Sequence, residues 1–203
     1  MMRTKKIKNV ISNSYRLYLE NQLLNSNVWS YLRSVVRTDL TTDDDSFGFT
    51  VYRTPFIEPP EVKHEIFYNM LTGLYFNLLD GFELKDIDIL RIRLGLILNS
   101  GKFIVNTPHV DFDYDHPVAN NHVNILYYFN STNAPTYLYE ETSKNIKDTV
   151  KYGIENKFKV KEIMNCEVNT AYMFDGSYFH SSSKPTDEKY RLVLNLNGKI
   201  YEN

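Results

Sequence analysis

The run Ile87-Asp88-Ile89-Leu90-Arg91-Ile92-Arg93-Leu94-Gly95-Leu96-Ile97-Leu98 decides the fold. In it Ile87, Ile89, Arg91, Arg93 and Gly95 alternate with Leu90, Ile92, Leu94, Leu96 and Leu98, and a period of two predicts a strand. Upstream the period is helical. Ile66, Phe67, Met70, Leu71, Leu74, Tyr75, Leu78 and Leu79 fall on one face of a predicted helix over Glu61 to Leu79, with His64 on its polar side, read as surface. A shorter helix is predicted from about Ser14 to Leu24, after a Ser/Asn cluster able to cap its first turn. Two strands are read before the long helix, Val28 to Val36 and Phe47 to Arg53. After Leu98 come Phe103 to Asn106, His122 to Phe129, Thr136 to Glu140, Thr170 to Phe174 and Arg191 to Asn197. Helices first and many short strands afterwards is the α+β pattern, mainly β, and predicts a sandwich, jelly roll or barrel with the helices on an outer face.

Composition agrees with one soluble globular domain: 203 residues, 42% hydrophobic and 24% charged, which excludes a disordered or collagen-like chain. Sixteen Tyr and 12 Phe against 8 Gly favour a β-rich core. Lys plus Arg is 23 and Asp plus Glu is 25, so no global basic field draws the chain to nucleic acid or an anionic membrane. One cysteine, Cys166, excludes an internal disulfide framework and a cysteine-built zinc site, and the cytoplasm is the expected compartment. The basic cluster Arg3, Lys5, Lys6 and Lys8 is followed by Asn9, Ser12, Asn13 and Ser14 rather than an apolar run, so neither a signal peptide nor a membrane span is expected.

The chemistry-bearing residues gather after Asn106. On a strand, residues i and i+2 face the same way, so Thr107-Pro108-His109-Val110-Asp111 can aim an imidazole and a carboxylate at one point. His180 closes the apolar-aromatic run Thr170 to Phe179, where a strand leaving the core would deliver it to the mouth of a sandwich. Two histidines and one carboxylate on one face of an ion leave its other positions open, the arrangement of non-haem Fe(II) oxygenases. Arg191 opens the strand Arg191-Leu192-Val193-Leu194-Asn195-Leu196, with Arg191, Val193 and Asn195 on the face opposite the leucines. A guanidinium facing a cavity is costly unless an anion pairs with it, and its planar fork suits a carboxylate.

These residues resemble the Fe(II)/2-oxoglutarate dioxygenases, in their prolyl 4-hydroxylase-like branch. The order and spacing of His109-Val110-Asp111, His180 and Arg191 carry the resemblance, together with Val123-Asn124-Ile125-Leu126-Tyr127-Tyr128-Phe129-Asn130, which looks like the strand that follows the metal motif in that branch. It covers roughly Ile87 to Asn197. It implies a double-stranded β-helix, or jelly roll, with a core over about residues 86–200 and helical support over about 1–85, all one domain. It also implies that His109, Asp111 and His180 hold Fe(II), that Arg191 and the Tyr128 hydroxyl bind the distal carboxylate of 2-oxoglutarate, and that O2 is the second co-substrate. The implied reaction hydroxylates a C–H bond of a peptidyl residue such as proline, or of an amino-acid-like small molecule. The chain departs from the branch at Ala134-Pro135, where Gly-Gly is common, and in the longer acidic loop Phe112 to Asn121.

The remaining polar residues have plainer readings. Asp111, Asp113 and Asp115 begin a calcium-loop ladder, but His116 stands where glycine is needed and His122 where a bidentate Glu is needed, so the pattern fails. Asp113, Asp115 and His116 are read as a solvated or substrate-facing lip, and His122 as a hydrogen-bonded structural residue. Arg91 and Arg93 share a strand face, which is either an exposed face pairing with acids or a basic wall for substrate. The rival functions are a jelly-roll carbohydrate- and calcium-binding module and a cupin-like metalloenzyme without 2-oxoglutarate. Neither needs a buried cation at the position of Arg191. No feature of the chain reports an oligomeric state.

Overall fold

The computed structural model describes residues 3–33, 45–54, 61–112, 122–143 and 158–200. In chain order these form β1 (Lys5–Lys8), α1 (Asn13–Leu24), β2 (Ser30–Leu32), β3 (Ser46–Arg53), β4 (Glu61–Val62), α2 (Glu65–Phe82) and β5 (Asp88–Leu98). They continue with β6 (His122–Tyr128), β7 (Thr136–Thr142), β8 (Val160–Met164), β9 (Thr170–Asp175), β10 (Tyr178–Ser181) and β11 (Tyr190–Lys199). The large sheet runs β1-β9-β6-β11-β5-β3-β2 with β4 on β3, and the second runs β10-β7-β8. Every pairing is antiparallel. The protein is an α+β, mainly β jelly roll.

Alternation on the large sheet builds two apolar layers. Its outer face presents Val51, Leu94, Ile125, Leu192 and Leu194 to Leu19 and Leu23 of α1 and to Leu74, Leu78 and Phe82 of α2. Each such side chain stabilises the fold by about 1.5–3 kcal/mol on burial. The inner face sends Leu126, Tyr128, Tyr172, Phe174 and Val193 against Leu138, Met164 and Tyr178 of the second sheet. The rest of that inner face, towards β5 and β3, lines the cavity described below.

Several boundaries depart from the sequence reading for local reasons. Helix α2 begins at Glu65 rather than Glu61, because Glu61 and Val62 pair with β3 and the N–H groups of Lys63 and His64 donate to the Val51 carbonyl, which holds the backbone extended. His64 is not a surface residue: it is half-buried, with its ring edge-on to Phe49 at 5.3 Å. The strand read over Val28 to Val36 is Ser30–Leu32 among the described residues, and its end lies outside them. Phe103 to Asn106 forms only a single bridge, Val105 with Ser183. Residues 3–62 supply four strands to the large sheet besides α1, so the N-terminal part is more than helical support. Strands β1 and β8 escaped the sequence reading because charged edge strands lack an apolar alternation.

The departure that matters for the site lies at Asp175-Gly176-Ser177. The Asp175 carboxylate accepts from the Ser177 N–H at 2.9 Å and its hydroxyl at 2.7 Å, which turns the chain. The run Thr170 to Phe179 is therefore two strands, β9 in the large sheet and β10 in the second, and His180 lies inside β10 rather than at the end of a strand leaving the large sheet. Gly176 is required here, since a Cβ would lie 2.1 Å from His122 Nε2. Gly176→Ala is expected to destabilise the protein by about 1–3 kcal/mol through this overpacking, read as a lower urea midpoint. An unchanged midpoint would mean that the His122 ring moves aside without cost.

Candidate metal centre

The segment after β5 returns along the second sheet and forms a bridge with β10. His109 N–H donates to the His180 carbonyl and His180 N–H to the His109 carbonyl, both at 2.9 Å. Directly opposed residues share a face, so the two imidazoles lie side by side with ring centroids 4.6 Å apart. Asp111, two residues on, returns to the same face. His109 Nε2 is 4.0 Å from Asp111 Oδ1, and His180 Nε2 is 3.7 Å from Asp111 Oδ2. One ligand atom from each of the three residues lies within 4.8 Å of the others.

The surroundings orient these groups. His109 Nδ1 lies 3.1 Å from the Thr107 carbonyl and His180 Nδ1 lies 3.3 Å from the Tyr178 carbonyl. A carbonyl only accepts, so the Nδ1 atoms carry the protons and both Nε2 lone pairs face Asp111. Burial pushes the His180 imidazole down to about 4, with His109 beside it adding to the effect, and burial lowers His109 as well. Both rings are neutral at pH 7, the form that ligates. Asp111 behaves oppositely. Burial alone would raise its carboxyl, but the Arg91 guanidinium, the two imidazoles and the Asn195 amide outweigh that and hold it well below the usual carboxylate range.

Arg91 Nη2 donates to Asp111 Oδ1 at 2.7 Å, while Asn195 Nδ2 at 3.0 Å and Asn197 Nδ2 at 2.9 Å donate to Oδ2. Arg91 Nε also donates to Asn197 Oδ1 at 2.9 Å, closing the bracket. A carboxylate offers about four acceptor positions. These three donors leave room on Oδ1, the oxygen turned towards His109. An anionic oxygen, two imidazole lone pairs and an open side suit a divalent transition metal.

Arg191 stands deeper in the same cavity. It is 1% exposed, and no carboxylate lies within ion-pair distance among the described residues. Its Nη2 donates to Thr136 Oγ1 at 2.6 Å, while its Nε is buried without a partner. Tyr128 is fully buried, its ring centroid 5.2 Å from the guanidinium carbon, and its hydroxyl also donates to Thr136 Oγ1, at 2.8 Å. Arg191, Thr136, the three candidate ligands and Arg93 line one cavity.

The structure thus brings His109, Asp111, His180 and Arg191 together and places Tyr128 behind Arg191. At the level of sequence Asn195, Asn197 and Thr136 had no assigned role, and Arg91 was left between pairing with an acid and lining a substrate wall. The signal for three of them was the period of two: Arg91 on β5 pairs with Asn197 on β11, and Arg93 with Asn195. Arg91 proves to be the partner of an acid, whereas Arg93 faces the cavity. Asp113, Asp115 and His116 lie outside the described residues. His122 is buried and lies edge-on to Phe112 at 5.3 Å, and it does not join the cluster of His109, Asp111 and His180.

No protein-family model and no curated protein matches the sequence. Solved structures do match. An oxidoreductase of the 2OG-Fe(II) oxygenase family from Burkholderia pseudomallei superposes with a TM-score of 0.65 at 9% identity, over 96% of this chain and 84% of that one. This chain has the 2OG-Fe(II) oxygenase fold. An alpha ketoglutarate dependent epimerase from nogalamycin biosynthesis gives a TM-score of 0.62 at 8% identity, over 97% and 77% of the two chains. A prolyl hydroxylase from Trichoplax adhaerens, in complex with a hypoxia inducible factor peptide, gives 0.54 at 13% identity over 97% and 83%. The fold therefore serves hydroxylation in one neighbour and epimerisation in another. No helix among the described residues is long and apolar enough to cross a membrane.

Proposed function

We propose that the chain is an Fe(II)- and 2-oxoglutarate-dependent dioxygenase that hydroxylates a C–H bond of a peptidyl residue, such as proline, or of an amino-acid-like small molecule. The observation that carries this reading is the coexistence, in one cavity, of the His109, Asp111, His180 donor set and the buried Arg191 guanidinium with an orphaned Nε. A metal site alone fits a cupin-like enzyme. A buried cation awaiting a carboxylate next to it fits a dicarboxylate co-substrate.

In this reading His109 Nε2, His180 Nε2 and an Asp111 oxygen hold the iron, and Arg191 holds the distal carboxylate of 2-oxoglutarate. A bound iron with its co-substrates supplies the oxidation, in which R–H, 2-oxoglutarate and O2 become R–OH, succinate and CO2. The chain supplies placement. The Thr107 and Tyr178 carbonyls fix the imidazole tautomers, and Arg91, Asn195 and Asn197 keep Asp111 ionised and in one orientation. Tyr128 and Arg191 both donate to Thr136 Oγ1, so Tyr128 positions the anion-binding arginine through that hydroxyl. Leu126 and Val193 of the inner apolar layer form part of the cavity wall and keep water from it.

The test is anaerobic visible absorption of metal-free protein titrated with Fe(II) and then 2-oxoglutarate. A charge-transfer band that needs both additions and is lost in His109→Ala is the expected result, followed under air by succinate release and a product carrying one added oxygen atom. Folded, iron-loaded protein without the band overturns the reading.

A further inference from the structure

The oxygenase reading accounts for Arg191 and Arg91 but leaves a third guanidinium, Arg93, without a task. Arg93 lines the cavity and is half-buried on β5, yet it makes no hydrogen bond or ion pair among the described residues. The backbone around it is shaped to keep it there. Its register partner on β3 is Thr50, and the next rung towards Arg191 is Gly48 opposite Gly95. A Cβ at Gly48 would lie 3.3 Å from Arg93 Nε and 3.0 Å from Leu32 Cδ1, so glycine leaves the guanidinium its space.

We propose that Arg93 binds a carboxylate of the molecule being oxidised, so that this cavity selects an acid over its neutral amide. The proposal rests on the oxygenase reading and adds the substrate class to it. Register separates Arg93 from the co-substrate. Arg191 pairs with Ile97 on β5, whereas Arg93 pairs with Asn195, whose amide holds Asp111. Arg93 therefore stands at the level of the metal ligands, roughly 14 Å along the strands from the level of Arg191 at about 3.4 Å per residue. In the proposed arrangement 2-oxoglutarate has one carboxylate at the metal and the other on Arg191, so neither of its charges is left for Arg93. Arg91 cannot serve the substrate either, since its charge is committed to Asp111.

What remains is one forked cation beside the open side of the metal site. Its chemistry matches a single carboxylate, which takes two parallel N–H donors from a guanidinium, better than a phosphate dianion, which calls for more than one cation. Desolvation, with the Arg91 charge adding to it and the Asp111 charge opposing it, pushes the Arg93 guanidinium down to about 10, so an anion bound beside it would offset the burial of its charge.

The Nε–Hε NMR resonance of Arg93, assigned by its loss in Arg93→Lys, reads this directly. Protein carrying Zn(II) and saturating 2-oxoglutarate is titrated with acetate and, separately, acetamide at constant ionic strength. A saturable shift with acetate and none with acetamide is expected. The affinity of Arg93→Lys for 2-oxoglutarate should stay within about threefold of the parent, since less than 1 kcal/mol is at stake there. No saturable acetate shift overturns the proposal. So does a resonance already moved to its end point by 2-oxoglutarate alone, which would give Arg93 to the co-substrate. The Fe(II) absorption band reports on the oxygenase reading by itself, and the acetate titration can be repeated on metal-free protein, so the two ideas fail separately.

Discussion

Arg191→Met is expected to weaken 2-oxoglutarate binding by about 100-fold or more while leaving the metal-free protein as stable as the parent, or more stable. The two effects have opposite signs because the guanidinium is buried at 1% exposure with, among the described residues, Thr136 Oγ1 as its hydrogen-bond acceptor and no carboxylate partner. A forked pair of charge-assisted hydrogen bonds to a carboxylate contributes about 3 kcal/mol, and each 1.4 kcal/mol is a factor of ten in affinity. Without the anion the same charge lies desolvated beside the Tyr128 ring at 5.2 Å, and an unbranched apolar side chain of similar length removes that cost. Thr136 keeps the Tyr128 hydroxyl as a donor, so the substitution does not strand its oxygen. Isothermal titration of 2-oxoglutarate into the Mn(II)-loaded protein and urea unfolding of the metal-free protein check the two halves. A variant that loses stability yet binds 2-oxoglutarate normally would make Arg191 a structural cation.

Arg191 was legible in the sequence because an arginine on the cavity side of an otherwise apolar strand has few other reasons to exist. His109 and Asp111 were marked by the period of two only together with the order and spacing of His180 and Arg191. His180 was found by its place at the close of an apolar-aromatic run and its spacing to Arg191, but not its sheet: Asp175-Gly176-Ser177 carries a turn signal, yet the run was read as one strand, whereas the Asp175 carboxylate binds Ser177 and folds the chain over there. The role of Arg91 was equally hidden. Arg91 and Arg93 are two residues apart on one strand face and chemically identical, and only the approach of Asp111 and Asn197 from other segments separates an acid-bound arginine from one that faces the cavity. Periodicity reports which face a residue occupies, while pairing across sheets decides what it meets there. The same limit moved the start of α2, since the backbone donors of Lys63 and His64 were taken by Val51 of a neighbouring strand.

Asp111→Ala is expected to abolish metal binding and also to cost the metal-free protein about 3 kcal/mol, a coupling that a residue present only for the metal would not show. The Asp111 side chain is 4% exposed and that of Arg91 17%. Removing the carboxylate leaves a largely buried guanidinium without its counter-ion, and the amides of Asn195 and Asn197 without their shared acceptor. Arg91 is far enough from bulk water for this to matter, yet exposed enough that the loss falls at the lower end for a buried pair. The double variant Asp111→Ala/Arg91→Leu separates the contributions. Taking away the stranded cation should recover much of the loss, so the double variant unfolds at higher urea than Asp111→Ala alone and still binds no metal. Unfolding in the presence of a chelator measures the pair without the ion. If Asp111→Ala is as stable as the parent under those conditions, the Arg91 pair carries no folding energy, and its role reduces to holding the carboxylate ionised and aligned for the metal.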